Sequence, residues 1–364
     1  MDQPIFSEIK RVCDEFCIKG TLVSYDEMNQ GNVNNTYKVN FTQPDGNPKS
    51  YVVQRLNTFV FKQPIQVMEN IDKVTEHIRA KKTGKHALHF HHTRERNTYV
   101  IDEYGFWRLF NYIPSKTYDL CDDLGVIRNA GNAFGEFQML LGDFDAKLLH
   151  ETIPFFHDTE RRYEKLVFDA KKDPNGLLES VMPEYEWLLS VRDKACTLTR
   201  MFKSGKLPLR VTHNDTKINN VLFDKDGTDA LVVIDLDTVM PGLVGNDFGD
   251  AIRFAANYVE EDSPDFEQAG VNMEVFRAFS EGFLAQTSGT LTKKEIDTLA
   301  ISCFAMSCEL ATRFLDDYIL GNPYFKIKYS DHNLVRTRCQ IALAEDMLEH
   351  LDEMQAIIEE YTKG

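Results

Sequence analysis

The sequence predicts an α+β chain of two lobes, a small β-rich N-terminal lobe and a larger, mainly helical C-terminal lobe. Three observations lead there. The 364 residues exceed what one small core organises, because long chains split into separately buried interiors. Residues 20–113 read as sheet, helix, sheet. Beyond Pro114 the texture turns to long helical periods, broken by one β-rich island at 210–238. The expected boundaries are 1–109 for the first lobe, 110–115 for a hinge and 116–364 for the second.

Taken in order, Ile5, Ile9, Val12 and Phe16 recur at helical spacing and are stopped by Gly20. GTLVSYDEM and NTYKVNF alternate as strands, QPDGNP supplies a turn, and SYVVQRLN resumes the β pattern. From 64 to 80, Pro64 suits a first helical turn, and Val67, Ile71, Val74 and Ile78 form an apolar stripe. TYVIDEYG and FWRLFNYI follow as a strand pair. Helical periods are predicted at 126–149, 177–202, 296–315 and 334–360. In the island, NVLF and ALVVID are strands, and the Asp-Gly of DKDGTD between them marks a hairpin turn.

Composition narrows the partners. A hydrophobic content of 43% with 11% aromatics supports a packed interior. The net charge of −16 argues against nucleic acid and anionic membrane, which need a basic footprint to displace counterions. An anionic nucleotide stays compatible, given a few local cations and a divalent metal. The N-terminus lacks the continuous apolar run of a signal peptide, and the uncharged stretch at 298–308 is far short of a membrane span. Seven cysteines form no CxxC and no zinc-type spacing with histidine. They read as small core residues in a reducing compartment, so a cytoplasmic chain with small-molecule partners is expected.

One stretch carries chemistry. VTHNDTKINN places His213, Asp215 and Asn220 within eight residues, and the predicted hairpin folds Asp235 back toward them. Two carboxylates and a carboxamide supply hard oxygen ligands suited to Mg2+. A carboxylate left off the metal can accept a proton from a hydroxyl. Those are the parts of a phosphoryl-transfer site.

His213 to Asn220, a hairpin, and then Ile234-Asp235 resemble the H-x-D-x-x-x-x-N loop and metal-binding acid of protein kinases and of the aminoglycoside phosphotransferase and choline kinase superfamily. QGNVNNTYKV, YVVQRLN and NDFGDAIR resemble further segments of that superfamily. Together with QRLNTFVFKQPIQVMENI, VIDLDTVMPG and RFLDDYILGNPYF, they resemble its N-acetylhexosamine 1-kinase branch. The resemblance implies a bilobal protein-kinase-like fold. It also implies Mg2+-dependent transfer of a phosphoryl group from ATP to the anomeric hydroxyl of N-acetylglucosamine or N-acetylgalactosamine. Asp215 is then the catalytic base, Asn220 and Asp235 hold Mg2+, Lys217 stabilises the transferred phosphate, and His213 braces the loop.

The small lobe departs from the protein-kinase pattern. QGNVNN has one glycine, Gly31, to bring a backbone N–H to a phosphate, with Asn34 among the side-chain amides beside it. The usual strand lysine is absent. Alternation puts Val53 and Arg55 on one face, toward adenine and phosphates respectively, while the competing register presents Gln54. Glu69, or alternatively Glu76, is the expected helix partner of the basic residue. The hinge Phe110, Asn111, Tyr112 and Ile113 is expected to read the adenine edge. Arg313 and Tyr324 are the expected sugar contacts, with Phe254 as a wall. Three alternatives stand beside the sugar reading: a choline or ethanolamine kinase, an aminoglycoside kinase, and a binding module that keeps the fold without turnover.

Overall fold

The computed structural model describes residues 3–28, 33–82 and 87–362. Helix α1 (Gln3–Glu15) precedes strands β1 (Thr21–Met28), β2 (Asn35–Thr42) and β3 (Pro48–Leu56), helix α2 (Pro64–Lys81), and strands β4 (Tyr99–Asp102) and β5 (Gly105–Asn111). The five strands form one antiparallel sheet in the order β1-β2-β3-β5-β4. Its two faces are packed differently. Tyr37, Val39, Tyr51, Val53, Trp107 and Leu109 lie with Ile9, Val12 and Phe16 in a core under α1. Leu56 and Phe106 join Val67, Met68, Ile71 and Val74 of α2 in the main core, which continues into the helical part.

The rest is α3 (Leu124–Leu140), α4 (Thr159–Lys172), α5 (Met182–Ala195), α6 (Thr197–Lys203), β6 (Arg210–Thr212), β7 (Val221–Phe223), β8 (Ala230–Val233), β9 (Met240–Gly242), α7 (Val244–Ala255), α8 (Met273–Thr287), α9 (Lys293–Ile296), α10 (Leu299–Ile319), α11 (His332–Glu349) and α12 (Leu351–Glu360). Mixed α+β architecture is therefore observed. Two predicted helices are broken: 177–202 divides at Cys196 and 334–360 at His350. Periodicity survives such breaks because the apolar stripe continues across them. Helix α3 stops at Leu140, short of the predicted 149.

Helices α4 and α8 escaped the sequence reading. Helix α8 crosses α3 at backbone contact: a Cβ on Gly282 would lie 2.0 Å from the carbonyl oxygen of Arg128, and one on Gly131 2.3 Å from that of Phe279. Only glycine permits that approach. Helix α10 is buried along nearly its whole length and forms the axis of the helical part. All seven cysteines are unpaired. Cys17 is exposed, contrary to the core reading, because it lies beyond the buried stripe of α1. Among the described residues no helix is long and apolar enough to cross a membrane.

Candidate active site

Strands β7 and β8 pair as the predicted hairpin, Val221 opposite Val233 and Leu222 opposite Val232. Asp224 closes the turn by accepting the N–H groups of Gly227 and Thr228, each at 2.8 Å. The return strand then delivers Asp235 beside the loop after β6, where Ile234 N–H donates to the Asn220 carbonyl at 2.8 Å. Asn214 and Asp235 both adopt left-handed backbone, φ 65° and 58°, a conformation that Asn and Asp tolerate better than most residues.

Most buried polar groups of this loop have partners; among the described residues the Oδ1 of Asn219 has none. The carboxylate of Asp247, in the first turn of α7, accepts the N–H of His213 and that of Asn214. It also accepts Gln138 Nε2 at 2.8 Å. His213 is fully buried; its Nε2 lies 2.8 Å from the Ile234 carbonyl, and its Nδ1 accepts the Asp215 N–H at 3.3 Å. With both ring nitrogens engaged, the ring braces the loop. Asn214 Nδ2 donates to the Thr238 carbonyl at 2.9 Å, joining the loop to the Asp235 turn.

Asp215 and Lys217 remain partly open to solvent. Lys217 Nζ lies 3.0 Å from Asp215 Oδ1, and Asn220 Nδ2 lies 3.3 Å from Asp215 Oδ2. Desolvation pushes the Asp215 carboxyl up, but the combined pull of Lys217 and His213 leaves it below its ordinary value. Asp235 keeps contact with solvent, yet desolvation and the carboxylates of Asp237 and Asp215 push it up to about 7, against Arg108 and Lys217. Crowded carboxylates are what a divalent cation relieves.

The residues fit such a cation. Asn220 commits its amide nitrogen to Asp215, which leaves its Oδ1 available to a cation. Among the described residues no three His, Cys, Asp or Glu side chains form a closed metal site. A cation here would complete its shell with water and phosphate oxygens, as Mg2+ commonly does.

Several expected nucleotide contacts lie elsewhere. Val53 is fully buried under α1. Arg55 shares its face: its guanidinium lies over Trp107 at 5.6 Å, 3.2 Å from Asn35 Oδ1 and 3.8 Å from Glu8. The sheet therefore turns Val52 and Gln54 toward the cleft, because α1 covers the opposite face. Neither acid proposed on α2 meets Arg55. Glu69 pairs with His150 at 2.5 Å, and Glu76 pairs with Arg79 at 2.5 Å.

Asn34 donates to Asp237 Oδ2 at 2.8 Å and accepts the Asn57 N–H at 2.9 Å. Gly31 lies outside the described residues. At the end of β5 the Asn111 side chain accepts the His89 N–H at 2.7 Å, and just beyond it the Tyr112 N–H donates to the Ser50 carbonyl at 3.4 Å. Among the described residues the N–H of Ile113 meets no partner. The Tyr112 ring lies 4.5 Å from Lys38 Nζ on the cleft face of β2.

On the other side of the catalytic loop, the Phe254 ring lies 5.9 Å from Lys217 Nζ. Arg313 is held between Phe156 and Phe325, at 5.4 and 5.5 Å. Tyr324 is 70% exposed and stands edge-on to Phe325. Asp317 shapes this turn by accepting the N–H groups of Tyr324 and Phe325 at 2.9 and 3.0 Å. Asp316 is taken by Lys165.

The sequence reading missed Arg108 and gave Asp247 no specific role. Arg108 is 3% exposed on the cleft face of β5 and pairs with Asp237. Its signal was available, since alternation in FWRLFN separates Arg108 from Trp107 and Leu109.

The fold matches known proteins. The chain is similar to an aminoglycoside phosphotransferase from Alicyclobacillus acidocaldarius, with 13% identity, 96% of each chain covered and a TM-score of 0.59. It is also similar to a microcompartment-associated aminopropanol kinase, with 15% identity, 95% of this chain and 98% of that one covered, and a TM-score of 0.61. An amicoumacin kinase in complex with AMP-PNP, Ca2+ and Ami matches at 13% identity and a TM-score of 0.55, covering 99% of this chain and 94% of that one. At these identities the likeness concerns the fold. The family described as the phosphotransferase enzyme family, APH, matches residues 27–279, well over half of the chain. The protein is a member of the APH phosphotransferase family.

Proposed function

We propose that this phosphotransferase is an ATP-dependent sugar kinase that phosphorylates the anomeric hydroxyl of an N-acetylhexosamine. The observation that carries the choice of substrate is the charge left unmatched beyond the catalytic loop. Asp316 shares Lys165 with Asp169, Glu309 hydrogen-bonds with His157 and Thr159, and Asp250 and Glu261 both pair with Arg253. Among the described residues Arg313 makes no direct ion pair and acts on Glu309 only at longer range. An unmatched guanidinium repels the ammonium groups of choline, ethanolamine or an aminoglycoside. It suits a neutral ligand rich in hydroxyl and carbonyl acceptors, and its Phe156 and Phe325 neighbours offer apolar surface to a ring.

In this reading Asp215 accepts the hydrogen bond of the anomeric hydroxyl and takes its proton as the new P–O bond forms and the bond to the leaving ADP breaks. A carboxylate held below its usual pKa by Lys217 is a weak base, which suffices because an anomeric hydroxyl is more acidic than an ordinary alcohol and its proton leaves late. Lys217 stays charged beside Asp215 and stabilises the oxygens of the group in flight. Asn220 and Asp235 would hold Mg2+, which neutralises charge on the donor phosphates. Cleft-facing Val52 and the free N–H of Ile113 are proposed to receive the adenine.

The test is turnover of Mg-ATP with N-acetylglucosamine, N-acetylgalactosamine, glucose, choline and kanamycin, with the phosphorylated position identified by phosphorus NMR. An anomeric phosphate on an acetamido sugar is expected. Turnover of choline or kanamycin alone overturns the substrate assignment, and ATP binding without transfer to any acceptor overturns the kinase.

A further inference from the structure

The turn that carries Asp235 is held from the small-lobe sheet. Asp237, 2% exposed in the single helical turn Leu236–Thr238, is gripped on both carboxylate oxygens. Arg108 of β5 binds Oδ1, and Asn34, just before β2, binds Oδ2 at 2.8 Å. Arg108 is fixed in turn: its Nε donates to Gln54 Oε1 at 2.9 Å, and Gln54 Nε2 donates to Thr36 Oγ1 at 2.9 Å. Met68 of α2 lies 3.8 Å from its Nη1. The same turn is tied to α2, where Asn70 Nδ2 donates to the Val239 carbonyl at 2.9 Å, and to the catalytic loop, where Thr238 Oγ1 donates to the His213 carbonyl at 2.7 Å.

A left-handed aspartate persists only where its surroundings over-determine it. The buried, charged contact from the sheet to the turn that carries Asp235 is the Arg108 guanidinium on Asp237. We propose that Arg108 is a positioning residue for the metal site. By fixing Asp237 it sets the Asp235 turn, and through Asn34 it links that turn to the β1–β2 hairpin. This linkage takes the place of an ion pair between β3 and α2, which the strand face of Arg55 and the positions of Glu69 and Glu76 rule out. The inference rests on the reading of Asn220 and Asp235 as metal ligands.

The sign of the effect separates positioning from electrostatics. Removing a buried cation beside a metal site should by itself tighten cation binding. Positioning predicts the opposite.

The experiment is titration of the full chain with Mn2+ in the presence of AMP-PNP, with free Mn2+ read by electron paramagnetic resonance and thermal unfolding run in parallel. Arg108→Met strands the Asp237 charge and is expected to melt about 6 °C or more below the parent. The double variant Arg108→Met with Asp237→Asn removes both charges, leaves the net charge unchanged and keeps an acceptor for Asn34. It is expected to recover most of the melting temperature yet bind Mn2+ about 10-fold more weakly, as loss of a group supporting a metal ligand typically does. Arg108→Lys restores charge without the fork that spans Gln54 and Asp237, and is expected to weaken Mn2+ about 3-fold at an unchanged melting temperature. Parental Mn2+ affinity in the folded double variant overturns the proposal. If the double variant does not fold, parental affinity in Arg108→Lys does so. Failure of the parent itself to bind Mn2+ with AMP-PNP overturns the metal reading, and the inference with it.

Discussion

The carboxylate of Asp247 accepts the backbone N–H groups of His213 and Asn214, each at 2.8 Å, so one side chain from α7 sets the entry of the catalytic loop. Asp247→Ala leaves three buried donors unpaired, the N–H groups of His213 and Asn214 and the Nε2 of Gln138. Each costs about 1–3 kcal/mol, and displacement of Asp215 is expected to lower kcat at least ~10-fold. Thermal unfolding and steady-state kinetics check both. Unchanged kcat in a folded variant would remove Asp247 from the site's support.

Asp215→Asn keeps shape and hydrogen bonding while removing the base. Loss of about 10²–10⁴ in kcat is expected, with the melting temperature and the KM for ATP nearly unchanged.

Arg313→Ala tests the sugar reading from the enzyme's side. The KM for the acetamido sugar is expected to rise on the order of 10-fold or more, since a charged donor to a buried acceptor contributes about 1.5–3 kcal/mol, while the KM for ATP stays constant. A change confined to ATP would place Arg313 in the wrong half of the cleft.

Acid sensitivity has a local source at Asp262. A hydrogen bond from Lys328, with a further one from His332, outweighs desolvation and lowers its carboxyl to about 2. A depressed folded pKa gives stability that is present above the unfolded value of 3.8 and lost as pH falls toward 2. Lys328 is largely exposed, so solvent screening reduces the effect to about 1 kcal/mol. Urea unfolding at pH 5 and pH 2.5 should show the parent losing about that much more than Asp262→Asn.

The α3–α8 contact predicts a glycine effect opposite in sign to helix propensity. Alanine normally favours a helix by about 1 kcal/mol over glycine. At Gly282 the added Cβ meets the Arg128 carbonyl, so Gly282→Ala is expected to destabilise by about 2 kcal/mol or more, measured by chemical denaturation. An alanine variant as stable as the parent would show that the helices separate freely.

The strands, the α2 stripe and the β7–β8 hairpin that returns Asp235 beside the 213–220 loop were legible because each depends on local rules. Period-2 and period-3.6 patterns, an Asp-Gly turn and the eight residues from His213 to Asn220 all lie within one element or its neighbour. The missed features depend on distant partners. Helix α8 carries one glycine, Gly282, that matters only against α3, and Asp247 becomes a clamp only when α7 packs beneath β6.

The sequence by itself determined that Asp215, Asn220 and Asp235 belong together, because a six-residue turn between two short strands leaves little freedom in where the second acid returns. It also determined the two faces of β3, one bearing Val53 and Arg55 and the other Val52 and Gln54. Only the tertiary structure decided which face meets the cleft. Alternation is symmetric, and that symmetry is broken by α1, whose apolar stripe covers the first face. Arg108, on the uncovered face of β5, is thereby brought across the cleft to Asp237.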